Sequence, residues 1–96
     1  MNGATIRLDK WLWFARFRKS RALASEFCAE GRIRVNRNPV SKPATMVKIG
    51  DVVTLPLGPE IRVVRVLALG IRRGPPAEAR LLYEEVAGVD PASAKC

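Results

Sequence analysis

Histidine is absent from this chain of 96 residues. Histidine is the commonest general base and a common metal ligand, so its absence removes the usual basis of hydrolytic catalysis and of zinc binding. Only two cysteines occur, Cys28 and Cys96, which are too few for a disulfide framework. We expect Cys28 to be a small buried apolar residue and Cys96 a loose terminal thiol.

Other catalytic arrangements are missing as well. Ser20 and Ser41 have basic neighbours, but helix-capping and turn roles account for them equally well. Glu84 and Glu85 are adjacent, so on a helix their carboxylates point about 100° apart and form no acid–base pair. We therefore predict no enzymatic activity and no catalytic residues, and likewise no cofactor, no metal site and no small-molecule substrate.

Long apolar runs are also lacking. No run approaches the roughly 20 residues that a membrane-spanning helix needs. The first five residues, Met1 to Thr5, do not show the charged and then apolar pattern of a secretion signal. We expect a cytoplasmic protein without a membrane partner.

Acidic residues are scarce, nine against 17 lysines and arginines, which gives a net charge of +8. The imbalance is concentrated in one half of the chain. Residues 1–42 hold ten basic and three acidic residues, whereas residues 43–96 hold seven and six. A one-sided basic surface suits a polyanion better than a small substrate, so this asymmetry indicates nucleic-acid binding.

A first helix is predicted over residues 8–18, where apolar side chains recur at helical spacing. The residues that share one face of it are Leu8, Trp11, Leu12 and Ala15. Trp13 and Phe17 lie on the opposite side, with Lys10 and Phe14 beside them. We expect a later helix to cover Trp13 and Phe17, and an exposed platform for stacking bases is the alternative.

A second helix is predicted over residues 21–30 after a tight turn. Ser20 is a suitable N-cap, and Gly31 is placed to end the helix in a left-handed conformation. The predicted inner stripe of this helix consists of Leu23, Ala24 and Phe27, with Cys28 at its edge.

The pattern then changes to the alternation of strands. In the segment 32–36, Ile33 and Val35 point to one side, and Arg32, Arg34 and Asn36 point to the other. A turn follows at 36–39, and Val40 is suited to begin a short return strand. Segment 42–48 reads as irregular, with Val47 and Ile49 as apolar anchors.

Two further strands are predicted at 52–55 and 61–69. The alternation slips at Val63 and Val64, which predicts a bulge or burial of both faces. A loop with Arg72 and Arg73 exposed then leads to a C-terminal helix. That helix begins near Pro76, and its apolar spacing comes from Ala79, Leu82 and Val86. The fold class is therefore a small single α+β domain. A helix-turn-helix pair packs on a short, mostly antiparallel sheet, and a short C-terminal helix follows.

The basic residues of the first 42 positions are the candidate nucleic-acid contacts. Their full set is Lys10, Arg16, Arg18, Lys19, Arg21, Arg32, Arg34, Arg37 and Lys42. Glu26 and Glu30 on the second helix would repel phosphate in a DNA groove, so recognition of structured RNA is favoured. The alternatives are a DNA-binding helix-turn-helix and a protein-interaction module that docks through Trp13, Phe14 and Phe17.

Several motifs resemble the RNA-binding domain of the S4 type, also called the alpha-L motif. They are the Arg-Leu-Asp-Lys opening at residues 7–10, the helix start at 20–24, the Gly-Arg-Ile-Arg-Val-Asn strand at 31–36 and the stretch 47–52. Residues 7–13, 15–17, 21–24 and 81–85 are similar to the bacterial ribosome-associated heat-shock protein fifteen family. The resemblance implies binding to ribosomal RNA of the large subunit, and to transfer RNA, in the handling of stalled subunits that still carry a nascent chain.

The domain boundaries follow from this resemblance and from composition. We expect a flexible N-terminus over 1–6, the RNA-binding alpha-L domain over 7–70, a loop and helix over 71–87, and a flexible tail over 88–96. The family often has Asn-Gly at the strand turn, where this chain has Asn36-Arg37. It also commonly continues into a basic C-terminal extension, and we expect any affinity from that extension to be missing here.

Overall fold

Three short α-helices, one 3₁₀ turn and seven short strands lie within residues 4–86, which are the residues that the computed structural model describes. The chain begins with β1 (Ile6–Arg7), α1 (Leu8–Phe14) and α2 (Arg21–Ala29). The strands that follow are β2 (Ile33–Val35), β3 (Asn38–Val40), β4 (Met46–Val47), β5 (Val52–Leu57) and β6 (Glu60–Val66). The last elements are α3 (Pro76–Ala79), a 3₁₀ turn (Arg80–Leu82) and β7 (Tyr83–Glu85).

The main sheet has five antiparallel strands in the order β3-β2-β5-β6-β7, and β1 pairs with β4 in a separate two-stranded ladder. The predicted α+β architecture is therefore confirmed, with its helix pair, antiparallel sheet and short C-terminal helix. Within residues 4–86, no helix is long and apolar enough to cross a membrane.

The core lies between α1, α2 and the inner face of the main sheet. Leu8, Trp11 and Leu12 are fully buried, as their shared helix face predicts. The sheet contributes buried valines and leucines at alternate positions of β5 and β6. The indole Nε1 of Trp11 donates to the carbonyl of Ala68 at 3.0 Å, so the one polar atom of this buried ring is satisfied.

The first helix is shorter than predicted, ending at Phe14 rather than at residue 18. Ala15 still packs in the core. Arg16 then takes a left-handed φ of 66°, which stops the helix and redirects the chain. Nothing in the local sequence marks this stop, since neither glycine nor proline occurs there.

The second helix has the predicted ends. The hydroxyl of Ser20 accepts from the amide of Leu23 at 3.1 Å, and Gly31 has a φ of 78°. Ala24, Phe27 and Cys28 form the buried stripe, but Leu23 is 43% exposed, so its predicted place in that stripe is wrong. At 100° per residue, Leu23 lies about 90° from the centre of the stripe and faces solvent.

Cys28 is buried in the core, as expected. Burial, and then the nearby charge of Asp9, raise the pKa of its thiol to about 12. The thiol is therefore protonated at neutral pH. Cys96 lies outside the described residues.

The predicted break at Val63-Val64 takes the form of burial on both faces, because the β5–β6 pairing continues without a bulge. Val47 is a buried anchor as predicted, whereas Ile49 is 58% exposed and is not one. Arg73 is half-buried rather than exposed.

The C-terminal segment departs most from its prediction. Only Pro76–Ala79 is α-helical, and Tyr83–Glu85 pairs with β6 as a strand. The amide of Val86 also donates to the carbonyl of Val63 at 2.8 Å. The helical spacing of Ala79 and Val86 was misleading, because the open edge of β6 offers backbone partners that the sequence alone does not reveal. The tail expected over 88–96 lies outside the described residues, as do the first three residues.

Candidate nucleic-acid interface

Ion pairing divides the basic residues into two groups. Seven basic side chains of residues 4–86 lie within 4.0 Å of a carboxylate: Arg7, Arg21, Arg32, Lys48, Arg62, Arg65 and Arg72. The other nine in this part of the chain have no such partner in it. They are Lys10, Arg16, Arg18, Lys19, Arg34, Arg37, Lys42, Arg73 and Arg80.

Seven of these nine belong to the set predicted from the sequence as nucleic-acid contacts. Six of the seven precede residue 40, and only Lys42 follows it. The carboxylates of the C-terminal half instead neutralise cations of their own half, as in the pairs Arg65–Glu84 and Arg72–Glu78. Apart from Arg73 and Arg80, the uncompensated positive charge is therefore carried by α1, the turn that follows it and the β2–β3 hairpin, with Lys42 just beyond the hairpin.

Asp9 joins the starts of the two helices. Its side chain is nearly fully buried and accepts from Nε and Nη2 of Arg7, both at 3.1 Å. Nη2 of Arg21 lies 3.7 Å from the same carboxylate. The amide of Asp9 also donates to the carbonyl of Pro43 at 3.3 Å, which brings Lys42 to this end of α1. Arg21 thus has a structural partner as well as its predicted role.

The turn between the helices is built by its own arginines. Nε of Arg16 donates to the carbonyl of Gly74 at 2.7 Å. The guanidinium of Arg18 lies over the ring of Phe27, 3.9 Å from its centroid, and donates to the carbonyl of Phe17 at 3.1 Å. Lys19 is exposed with no protein partner among the described contacts. Arg16 and Arg18 therefore hold the shape of this turn as well as adding to its positive charge.

The C-terminal segment covers the second aromatic face of α1. The ring of Phe17 packs 4.8 Å from that of Tyr83, and the guanidinium of Arg62 lies 5.3 Å from Phe17 and 5.9 Å from Tyr83. Arg62 also pairs with Glu85, and this hydrogen bond raises the pKa of the guanidinium further. The face is covered, as predicted, but by a strand and an arginine rather than by a helix.

Trp13 is covered by Arg73 in the same way. The guanidinium of Arg73 lies 5.9 Å from the Trp13 ring, and its Nη2 reaches the carbonyl of Arg18 at 3.5 Å. Phe14 is buried. With Trp13 half-buried under Arg73, no aromatic docking face is left open at this place, which removes the basis of the protein-interaction alternative.

The strand arginines lie as the alternation predicts. Arg34 points to the solvent face between buried Ile33 and Val35, with Thr54 opposite it on β5. Arg32 lies 4.0 Å from Glu30, and both side chains are exposed. An exposed pair at that distance contributes little, so Arg32 remains available to a phosphate.

Arg37 lies in a two-residue turn that joins β2 to β3. Asn36 has a φ of 53° and Arg37 a φ of 76°, the left-handed pair typical of a type I′ hairpin turn. The side-chain Nδ2 of Asn36 donates to Oδ1 of Asp51 at 3.0 Å, and its Oδ1 accepts from the backbone N–H of Val52 at 3.0 Å. The turn is therefore anchored on one side by Asn36, while Arg37 extends into solvent.

Asp51 supports this turn through its hydrogen bond with Asn36. Burial alone would raise the pKa of its carboxyl group, but hydrogen bonds from Asn36 and Lys48, with the Lys48 charge, hold the pKa below its usual range. The role of Asp51 was missed in the sequence, as was the buried position of Asp9. Each combines a local contact, with Arg7 or Lys48, and a distant one, with Arg21 or Asn36, and only the distant contact has no signal in the sequence. Residues 4–86 contain no cluster of three possible metal ligands.

A family model described as the S4 domain matches residues 6–53 of this chain. Heat shock protein 15 of Escherichia coli is 48% identical over 82 residues, which cover 85% of this chain and 61% of that protein. The RQC P-site tRNA stabilizing factor of Halalkalibacterium halodurans is 41% identical over 81 residues, 82% of this chain and 88% of that protein. The chain spans about three fifths of the length of the first curated relatives it matches.

A solved structure is also similar, a trimeric structure of Vibrio cholerae Heat Shock Protein 15. It superposes with a TM-score of 0.83 at 34% identity and covers 96% of this chain and 92% of that one. The S4 match ends within β5. The contacts that Ala68, Gly74 and Tyr83 make with α1 and the turn after it therefore come from outside the matched region.

Proposed function

This chain belongs to the S4 domain family, and from that premise we propose that it binds structured ribosomal RNA of the large ribosomal subunit. The observation that carries the proposal is the concentration of basic side chains without carboxylate partners in α1, the turn after it and the β2–β3 hairpin. Side chains of this kind can neutralise phosphates without first breaking ion pairs within the protein.

The proposed contacts fall into two groups. Lys10, Lys19, Arg34, Arg37 and Lys42 have no carboxylate partner in the described residues and would contact phosphate directly. Four further arginines also carry charge. Arg16, Arg18 and Arg21 hold the protein's shape as well, whereas Arg32 has only a weak exposed pair with Glu30.

Structured RNA fits this surface better than a DNA groove does. The outer side of α2 presents Glu26 and Glu30, which would repel the phosphates on either side of a groove. The cations instead lie at the ends of the helices and along a hairpin, an arrangement suited to the shape and phosphates of a folded RNA.

The relatives' names suggest the setting. One is a heat-shock protein and another stabilises transfer RNA in the P site. We infer that this chain acts in the cytoplasm on large subunits that hold a transfer RNA, including subunits stalled with a nascent chain. In this role it is a binding protein with no membrane partner and no small-molecule substrate, and it performs no catalysis.

The first test is the salt dependence of binding to ribosomal RNA. About five phosphate contacts give a slope of log affinity against log salt near −3.5 to −4.5. The double variant Lys19→Gln with Arg34→Gln removes two contacts and should reduce the slope by about 1.4–1.8. The matched control, Arg65→Gln with Arg72→Gln, removes the same charge from side chains paired with Glu84 and Glu78.

The control should leave the slope unchanged. Equal effects of the two double variants would show that net charge, rather than this surface, drives binding. The second test is sedimentation of the protein with dissociated ribosomal subunits, with and without transfer RNA carrying a nascent chain. Equal recovery of the protein with the small and the large subunit would refute the assignment to the large subunit.

A further inference from the structure

A groove lies on the solvent face of the five-stranded sheet, away from the two helices. Its volume is about 330 Å³. The residues that line it are Asn36, Arg37, Val52, Thr54, Val63 and Val86. It lies on the side of the sheet opposite the packed helices.

The register of the strands explains the groove. Arg34, Thr54 and Val63 lie opposite one another across β2, β5 and β6, and Val52 lies opposite Arg65. The short side chains of Thr54 and the valines thus lie between long arginines on either side. A hollow with an apolar floor results, and Val63 is only 6% exposed there.

The two rims of the groove differ in charge. On the side of the β2–β3 turn, Arg34 and Arg37 have no carboxylate partner among the described residues. On the other side, Arg65 lies 2.5 Å from Glu84, so that pair neutralises itself. The groove therefore combines an apolar floor with two free cations at one edge.

The backbone of Arg37 supplies a second, independent observation. Its φ of 76° is favoured for glycine and disfavoured for a residue with a Cβ atom. Strained backbone of this kind persists only where the surrounding structure enforces it, and such positions cluster at functional sites. Here the strained position places a guanidinium at the rim of the groove.

We propose that this groove holds one unpaired nucleotide of the bound RNA. The base lies against Val52 and Val63, the Thr54 hydroxyl hydrogen-bonds to its edge, and Arg34 and Arg37 contact the flanking phosphates. Sequence-dependent recognition of RNA commonly uses bases splayed out of the helix in this way. The inference rests on the proposed RNA-binding function and extends it, because it assigns a preference for RNA with an unpaired nucleotide beside a helix.

The test uses the full chain and two RNA hairpins that are identical except for one bulged adenosine. Fluorescence anisotropy at fixed salt gives the affinity for each hairpin. We expect the protein to prefer the bulged hairpin roughly tenfold, the order expected from one hydrogen bond and the burial of a small apolar area. Thr54→Glu, which places a carboxylate in the groove, should abolish that preference.

The matched control is Ile61→Glu. Ile61 lies on the same face, two residues from Val63 along β6 and outside the groove, and it is exposed. The control makes the same change of charge and should keep the preference. Arg37→Gly is a second test variant, since it relaxes the backbone and cannot fail by disrupting the turn. It should lower the preference severalfold.

Three results would each overturn the inference. The first is an equal affinity of the unaltered protein for the two hairpins, and the second is a preference that survives Thr54→Glu. The third is a set of nuclear Overhauser contacts from the Val63 methyls to residues 87–96 instead of to RNA, which would show that the chain itself fills the groove. In each case a steep salt dependence for the fully paired hairpin would leave the proposed function standing, whereas its absence would remove that function.

Discussion

Replacing Arg37 with glycine should make the protein more stable and its RNA binding weaker. A residue with a Cβ atom pays roughly 1–2 kcal/mol to occupy the left-handed region, where Arg37 has a φ of 76°. Glycine avoids that cost but loses roughly 0.5–1 kcal/mol through its greater freedom in the unfolded chain. The net gain is about 0.5–1 kcal/mol, which corresponds to a rise in Tm of about 2–8 °C for a domain of this size.

The same change removes a cation that has no carboxylate partner in the described residues. If Arg37 contacts one phosphate, the salt slope of RNA binding should fall in magnitude by about 0.7–0.9. Arg37→Ala serves as the control, because it removes the charge while keeping the Cβ atom in the strained turn. It should weaken binding as much as Arg37→Gly does, without the rise in Tm.

Thermal unfolding followed by circular dichroism and RNA titrations at several salt concentrations measure the two effects separately. A Tm for Arg37→Gly at or below that of the unaltered protein would refute the strain argument. An unchanged salt slope in both variants would refute the phosphate contact. Because stability and affinity move in opposite directions, a loss of binding in Arg37→Gly cannot be ascribed to unfolding.

Two further outcomes are expected from the contacts described above. Tyr83→Ala removes the ring that packs on Phe17 and should lower the free energy of unfolding by about 2 kcal/mol. It should also speed tryptic cleavage within residues 16–19 more than elsewhere, and uniformly faster cleavage would contradict this. The pKa of Asp51 is lower in the folded state than in the unfolded one. The ionised carboxylate therefore contributes fully to the free energy of unfolding above about pH 4, and this contribution is lost as the pH falls through the pKa of the folded state. Asp51→Asn should therefore lower Tm at neutral pH but flatten its decline below pH 5, and parallel declines for the two proteins would contradict this assignment.

Features that depend on a few neighbouring residues could be predicted from the sequence. The cap at Ser20, the left-handed end at Gly31 and the alternation of Ile33 and Val35 are all present as expected. Each is determined by the side chain itself or by its immediate neighbours, so distant parts of the chain do not alter it.

Features set by distant partners could not be predicted. Helix α1 ends at Phe14 where the backbone turns at Arg16, whose side chain donates to Gly74, 58 residues away. Residues 83–85 form a strand because β6 has an open edge, although their spacing suggested a helix. Tertiary pairing overrides weak local preference in both cases.

The candidate site shows the same division. Its charge and its nine basic residues could be identified by counting. The partner of each cation could not, since Arg21 faces a carboxylate buried at the start of the other helix and Arg18 lies on an aromatic ring. Ion pairs form only in the folded protein. They therefore distinguish the cations that are free to contact phosphate from those that support the fold only once the structure is known.

The contacts of α1 and the turn after it with the C-terminal segment also determine when, during synthesis, the basic side chains take up their final positions. Trp11 donates to the carbonyl of Ala68, 57 residues later, and Phe17 packs on Tyr83. During synthesis the cation-bearing turn therefore emerges long before the residues that cover its aromatic side chains. Contacts so far apart in sequence require a large loop to close before they form, which delays them in folding. A partly synthesised chain accordingly presents the charges without their fixed geometry, so it should bind the proposed RNA more weakly than the full chain does.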